Sequence, residues 1–216
     1  MKSRDAILSR IRERLANDSH VDPPPVPEVW PPTHATTEQL AGQFAEQLQA
    51  VQGEVHHVSS MDQARQKLAE MIKESGWKTL GAVDRPICRE LTAGLAADRL
   101  AWVTPDWDPN RMAELPAGLV AAECLLADTG SCMVASGTRQ ERLICYLPPA
   151  CLVVARTDQL VEHMPAAWDR VARQTAEPDR RGEFVFITGP SRTADIEKIL
   201  ILGVHGPKRL IVLLVD

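Results

Sequence analysis

Ser191, Arg192 and Thr193 lie in the stretch GPSRTADIE, directly after a Gly189-Pro190 turn. Two hydroxyls flanking a guanidinium suit the grip of a phosphate or carboxylate, and Arg192 can supply a bidentate clamp. The preceding FVFIT reads as a strand and the residues that follow as a helix, with Ser191 or Thr193 as N-cap. Open α/β sheets take ligands at the carboxyl ends of their strands, where free backbone N–H groups hold anions. Asp195 and Glu197 would fall in the first helical turn. There they complement the helix dipole and compete with a bare anion. His205 and Gly206 follow in GVHGP, a turn that would present the imidazole; a hydrogen-bonded turn residue is the plainer reading of that histidine.

A second turn, ADTGS, joins two apolar stretches. Asp128 and Thr129 can cap, Gly130 permits close backbone approach, and Ser131 can donate to a ligand oxygen. A tight hairpin would demand the same Asp and Gly. Glu123 stands inside the apolar run LVAAECLLA, where a carboxylate is costly unless it is paired or working. Arg139 and Arg142 are its candidate partners. Glu123, Asp128 and His205 are thus the candidates for acid–base or nucleophilic work, but spacing gives no complete triad.

Other chemistries find no support. The chain has no phosphate-binding P-loop, no G-x-G-x-x-G and no H-E-x-x-H. His56-His57 reads as a strand pair with one ring exposed. Five cysteines, at 88, 124, 132, 145 and 151, show no C-x-x-C spacing and sit among apolar neighbours. They read as buried inert thiols rather than metal or cluster ligands. No cofactor is evident. A formal net charge of -5 argues against a nucleic-acid or anionic-membrane binder. Arg10, Arg12 and Arg14, interleaved with Glu13, read as the solvated face of a helix. The N-terminal MKSRDAILSRIRERL lacks the apolar core of a signal peptide, and no run reaches the length of a membrane span. The expectation is a cytoplasmic protein.

The elements that must position these residues alternate. Residues 3–16 read as a short helix with Ile7, Leu8, Ile11 and Leu15 on one face. Six prolines between Pro23 and Pro32 then predict an extended strap. The expected division is an arm, 1–34, and a body, 35–216. In the body, Thr36 with Gln39 and Ser60 with Gln63 mark capped helices. GEVHHV, WKTLGAV, RLAWVTP, ACLVVAR, GEFVFITG and RLIVLLV read as strands, with helices among them, including one over SRTADIEKILIL. Such alternation predicts an α/β fold with a mostly parallel sheet.

The motifs GPSRTADIE and GVHGP, with ADTGS, LPPACLVVAR and the N-terminal RDAILSRIRERL, resemble the lactate utilisation protein C family over nearly the whole chain. The closing thirty residues are the most specific part. The resemblance implies a Rossmann-like three-layer α/β/α fold of the NagB/RpiA/CoA-transferase group. It also implies a role in bacterial oxidation of L-lactate to pyruvate, as a cluster-free accessory subunit beside iron–sulfur partner proteins. Carried over by motif, the functional surface would comprise Asp128, Thr129, Gly130 and Ser131. Ser191, Arg192, Thr193, Asp195, Glu197, His205 and Gly206 would join it. Ser131 stands where threonine is common, and the hydroxyl is kept.

Two rival classes stay open. One is a stand-alone enzyme of the CoA-transferase or sugar-phosphate-isomerase type, with Glu123 or Asp128 as base or nucleophile and Arg192 holding a small carboxylate or phosphate. The other is a scaffold that docks through helix 3–16. An oligomer is compatible with all three.

Overall fold

In a computed structural model the chain is described over residues 3–16, 29–30, 34–176, 183–194, 200–203 and 205–216. It divides into two compact units, Met1–Pro31 and Pro32–Asp216. The first holds helix α1 (Ser3–Ala16), with the bounds its apolar periodicity predicts. The proline strap falls largely outside the described residues.

The second unit opens with α2 (Thr37–Ala50), whose start is fixed by a reciprocal cap. Thr36 Oγ1 accepts from Gln39 N at 3.3 Å, and Gln39 Oε1 accepts from Thr36 N at 2.8 Å. Phe44 and Leu48 of α2 are fully buried, each such side chain contributing about 1.5–3 kcal/mol by leaving water. Strand β1 (Glu54–Val58) leads to α3 (Met61–Ser75), capped by Ser60. Here the glutamine arm of the cap reaches Ser59 N at 3.2 Å, one residue earlier than expected. There follow β2 (Leu80–Ala82), α4 (Pro86–Leu91), β3 (Leu100–Trp102), α5 (Pro109–Ala113) and β4 (Ala117–Ala121). Then come β5 (Cys124–Leu126), β6 (Ser131–Ser136), α6 (Arg139–Leu143), β7 (Ala150–Arg156), β8 (Leu160–Val161) and α7 (Met164–Ala176). The chain closes with β9 (Glu183–Ile187), β10 (Arg192–Ala194), β11 (Leu200–Leu202) and β12 (Arg209–Val215).

The central sheet has six strands in the order β1-β12-β7-β4-β2-β3, all paired in parallel. β7 and β12 are continuous Val/Leu/Ile runs because both their faces are covered. From β2 the chain steps outward to β3; from β4 it steps the other way, through β7 to β12. Right-handed crossovers place connections running in opposite directions on opposite faces. Accordingly α3 packs on α4, and α5 packs on α6. The expected α/β architecture holds.

Two expectations fail. FVFIT does not join the central sheet. As β9 it lies at the edge of a second, four-stranded sheet, β8-β5-β6-β9, antiparallel to β6. The helix expected from Ser191 to Leu202 is also replaced at its described ends. Arg192–Ala194 and Leu200–Leu202 form an antiparallel pair, with Thr193 opposite Ile201. A short apolar run such as Leu-Ile-Leu fits either period, so pattern alone cannot separate strand from helix there.

Candidate functional site

The two glycine turns do meet, through their hydroxyls. Thr129 Oγ1 lies 2.9 Å from Ser131 Oγ, which lies 2.6 Å from Thr188 Oγ1. This chain ties the β5–β6 turn to the end of β9. Gly130 has φ 63, and a Cβ there would lie 2.4 Å from the backbone nitrogen of Leu48 in α2. Gly189 has φ 93, with its Cβ position 3.0 Å from the Val51 carbonyl oxygen. Both glycines are therefore required by close approach of the backbone to the C-terminal end of α2. Asp128 N donates to Glu162 O at 3.0 Å, while its Oδ1 is buried with no hydrogen-bond partner among the described residues.

Beyond β9, Ser191 is sewn into the closing loop. Its N–H donates to Pro207 O at 2.8 Å, and its carbonyl accepts from Gly203 N at 2.9 Å. Gly206 packs on Ser191, and Arg192 and His205 are exposed. Ser191 is thereby tied to the loop entering the amino end of β12, not to the carboxyl end of a central strand. Thr193 occupies the middle of β10. Asp195 and Glu197 lie outside the described residues.

Glu123 is placed by the bend between β4 and β5, half-buried, with its N–H on Met133 O at 2.7 Å. Neither expected partner is beside it. Arg142 pairs instead with Glu183, and Arg139 is exposed. The basic neighbour is Arg170 of α7, which donates to the carbonyls of Glu123 at 3.0 Å and Asp158 at 2.9 Å.

Glu123 belongs to a cleft of about 780 Å³ at the carboxyl ends of β2, β4 and β7. β2 and β4 are the neighbours from which the chain leaves in opposite directions, the position where open α/β sheets bind ligands. Asp84 and Arg85 come from the end of β2, Arg156 and Asp158 from the end of β7. Ala121 and Ala122 continue β4, and their small side chains leave room. Ser136 to Glu141 close the opposite wall. Glu141 braces that wall: its Oε2 accepts from Arg85 Nη2 at 2.8 Å and from Gly137 N at 2.8 Å. Arg156 Nη2 donates to Glu90 Oε2 at 2.8 Å. Asp84 pairs with Arg89, whose hydrogen bond holds the carboxyl below the usual carboxylate range. Ser136 is 4% exposed, and its Oγ finds no partner among the described residues. A smaller hollow of about 370 Å³ shares Glu123, Asp158 and Gln159 and is closed by Arg170 and Arg173.

Apart from Glu123, sequence reasoning did not single out this cleft. Its residues carry no motif, and only the strand order brings them together. That order follows from the parallel pairings, which local pattern does not encode.

The five thiols are all buried. Burial pushes Cys88 and Cys145 up to about 12 and Cys124 to about 11, and raises Cys132 and Cys151 as well. The pair His56-His57 behaves as its strand position predicts. His57 is exposed with Nε2 2.7 Å from Asp216 Oδ1, while burial followed by the Lys67 charge lowers the pKa of His56. Among the described residues no three His, Cys, Asp or Glu side chains converge as a metal site, and no helix is long and apolar enough to cross a membrane.

The LUD domain model matches residues 41–215. Lactate utilization protein C of Bacillus pumilus (strain SAFR-032) is 36% identical over 108 residues, 49% of this chain and 45% of that protein. The uncharacterized protein YkgG of Escherichia coli (strain K12) is 29% identical over 118 residues, 51% of each chain. The chain thus spans about half the length of these two relatives in its match to them. Lactate utilization protein C of Bacillus licheniformis is 23% identical over 231 residues, 99% of this chain and 96% of that one. A crystal structure of a DUF162 family protein from Deinococcus radiodurans shares the fold, with a TM-score of 0.61 at 18% identity over 84% of this chain and 99% of its own.

Proposed function

The chain belongs to the LUD domain family, and from that premise we propose that it serves the oxidation of L-lactate to pyruvate as an accessory subunit beside iron–sulfur proteins. The observation that carries this reading is the end-to-end similarity to a protein named for lactate utilization, across 99% of this chain. The chemistry of its own residues supports an accessory role. Lactate oxidation needs an electron acceptor, and iron–sulfur clusters are held by cysteine thiolates. The five cysteines show no cluster spacing in the sequence, so we assign cluster ligation to the partners. Arg192 and His205, exposed beside the Ser191–Gly206 contact, are the side chains we place toward a partner or an anionic ligand.

Deletion of the gene tests this directly. Loss of growth on L-lactate, restored by the wild-type chain and poorly by Arg192→Ala or His205→Ala, is the expected outcome. Normal growth of the deletion strain on L-lactate sinks the reading.

The position of Glu123 favours a second reading, a stand-alone enzyme of the CoA-transferase or isomerase type. It lies at the carboxyl end of β4, where a carboxylate could act as base or nucleophile. Turnover of an acyl-CoA with a carboxylate, or of a sugar phosphate, lost in Glu123→Gln, would establish it. No turnover across that panel removes it.

A further inference from the structure

We propose that the corner of the cleft formed by Arg85 and Ser136, at the carboxyl ends of β2, β4 and β7, is the binding site for a small 2-hydroxycarboxylate. The ligand class rests on the lactate-utilisation reading; the place rests on geometry alone.

Three observations converge there. The cleft occupies the junction of β2 and β4, neighbouring strands that send their connections opposite ways, and Ala121 and Ala122 line it. Ser136 contributes a hydroxyl that is buried and without a partner among the described residues. Burying such a group uncompensated is costly, so a ligand oxygen that accepts its proton recovers that penalty on binding. Arg85 stands at the same corner, because Glu141 Oε2 holds both its Nη2 and the N–H of Gly137, the residue next to Ser136. A guanidinium carries five N–H donors; the Glu141 bond uses one, and Nη1 donates another to the Asp84 carbonyl oxygen at 3.4 Å. The rest of the fork is pre-oriented for a carboxylate, which Arg85 takes while Ser136 donates to the same ligand.

The charge of the walls selects the ligand. Arg85, Arg156 and Asp84 are each matched by an opposite charge, at Glu141, Glu90 and Arg89. Glu123 and Asp158 add two further carboxylates to the lining. A bare dianion such as phosphate meets net negative charge in this cleft. A hydroxy acid brings one negative charge rather than two, a carboxylate that can accept from the N–H groups Arg85 has left, and a hydroxyl proton that Glu123 or Asp158 can accept. Its carbon skeleton lies against Ala121 and Ala122.

Titration calorimetry on the full chain tests this, with L-lactate, acetate, inorganic phosphate and coenzyme A as separate ligands. L-Lactate is expected to bind, with acetate and phosphate weaker. Ser136→Ala is expected to weaken L-lactate about ten-fold or more while its thermal midpoint holds or rises, since the variant removes an unpaired buried hydroxyl. Arg85→Lys keeps the charge, loses the fork and is expected to weaken binding as well. Wild-type affinity for L-lactate in Ser136→Ala overturns the site, whatever the growth phenotype. Binding of phosphate or coenzyme A in preference to L-lactate, or no binding of L-lactate at millimolar concentration, overturns the ligand class. Growth on L-lactate without the gene, alongside intact binding at Ser136, would instead reject the pathway reading and leave the site standing.

Discussion

Ser131 and Ser136 begin and end the same strand, β6, and each is 4% exposed, yet their hydroxyls live in opposite circumstances. Ser131 sits between Thr129 and Thr188 in a chain of two hydrogen bonds, next to a glycine pressed against the backbone of α2. Ser136 has no partner among the described residues and belongs to the lining of a cleft that Ala121 and Ala122 also line. The first end is rich in turn residues because two backbones meet there. The second end is poor in motif because its shape comes from strand order. Glycine, serine and aspartate in a row therefore report close approach at least as readily as they report a ligand.

The sharpest way to break this contrast is Gly130→Ala. The new Cβ would collide with Leu48 N, and the residue would be held at φ 63. A loss of about 2–5 kcal/mol in urea denaturation is expected, combining left-handed strain with overpacking. A loss below about 1 kcal/mol would mean that the turn does not bear on α2. Next comes Ser131→Ala, which leaves Thr129 and Thr188 short of a partner. It is expected to cost about 1–2 kcal/mol by the same measurement. Ser136→Ala should go the other way, neutral or stabilising by up to about 1 kcal/mol, because nothing loses a bond. Equal losses at the two serines would erase the distinction between the two ends of β6.

The smallest effect concerns pH. Arg209 donates to both oxygens of Glu54, at 2.8 and 2.9 Å, and that hydrogen bonding holds the Glu54 carboxyl below its ordinary 4.5. The folded-state value is the lower one. The contribution is therefore complete above the unfolded value and fades as pH falls through the folded value. Glu54→Gln is expected to flatten the acid limb by lowering the melting temperature slightly at neutral pH, where the pair contributes, and to leave it nearly unchanged below the folded value. An unchanged acid limb would show that the half-exposed pair adds nothing.

Much of the fold was legible in the sequence. Capping residues gave the starts of α2 and α3 because a cap is a local hydrogen bond, and the apolar runs of β7 and β12 announced a covered sheet. The second sheet was not legible. β9 reads like any short apolar strand, and its partner is chosen by the hairpin geometry of β5 and β6 rather than by its own residues. The ribbon of β10 and β11 was misread as a helix because three apolar residues carry no period. Of the chemistry, Glu123 was found as a carboxylate out of place among apolar neighbours. Ser136, Arg85 and Arg156 were not, since each looks ordinary in its own stretch and acquires meaning only beside the others.

The place of β12 in the sheet has a consequence for the chain as it is made. β1 touches the central sheet only through β12, and the paired residues Glu54 and Arg209 are 155 positions apart. At ordinary ribosomal speeds, roughly ten to thirty seconds separate the synthesis of these two residues. During that interval residues 54–58 have no native neighbour to pair with. Their sequence, EVHHV, carries a carboxylate and two imidazoles, and none of the five residues ends fully buried. A nascent strand of that make-up resists adhesion to other emerging chains, as a run like RLIVLLV would not. The late arrival of the most apolar strand, beside a polar one already waiting, keeps the sticky segment from standing alone.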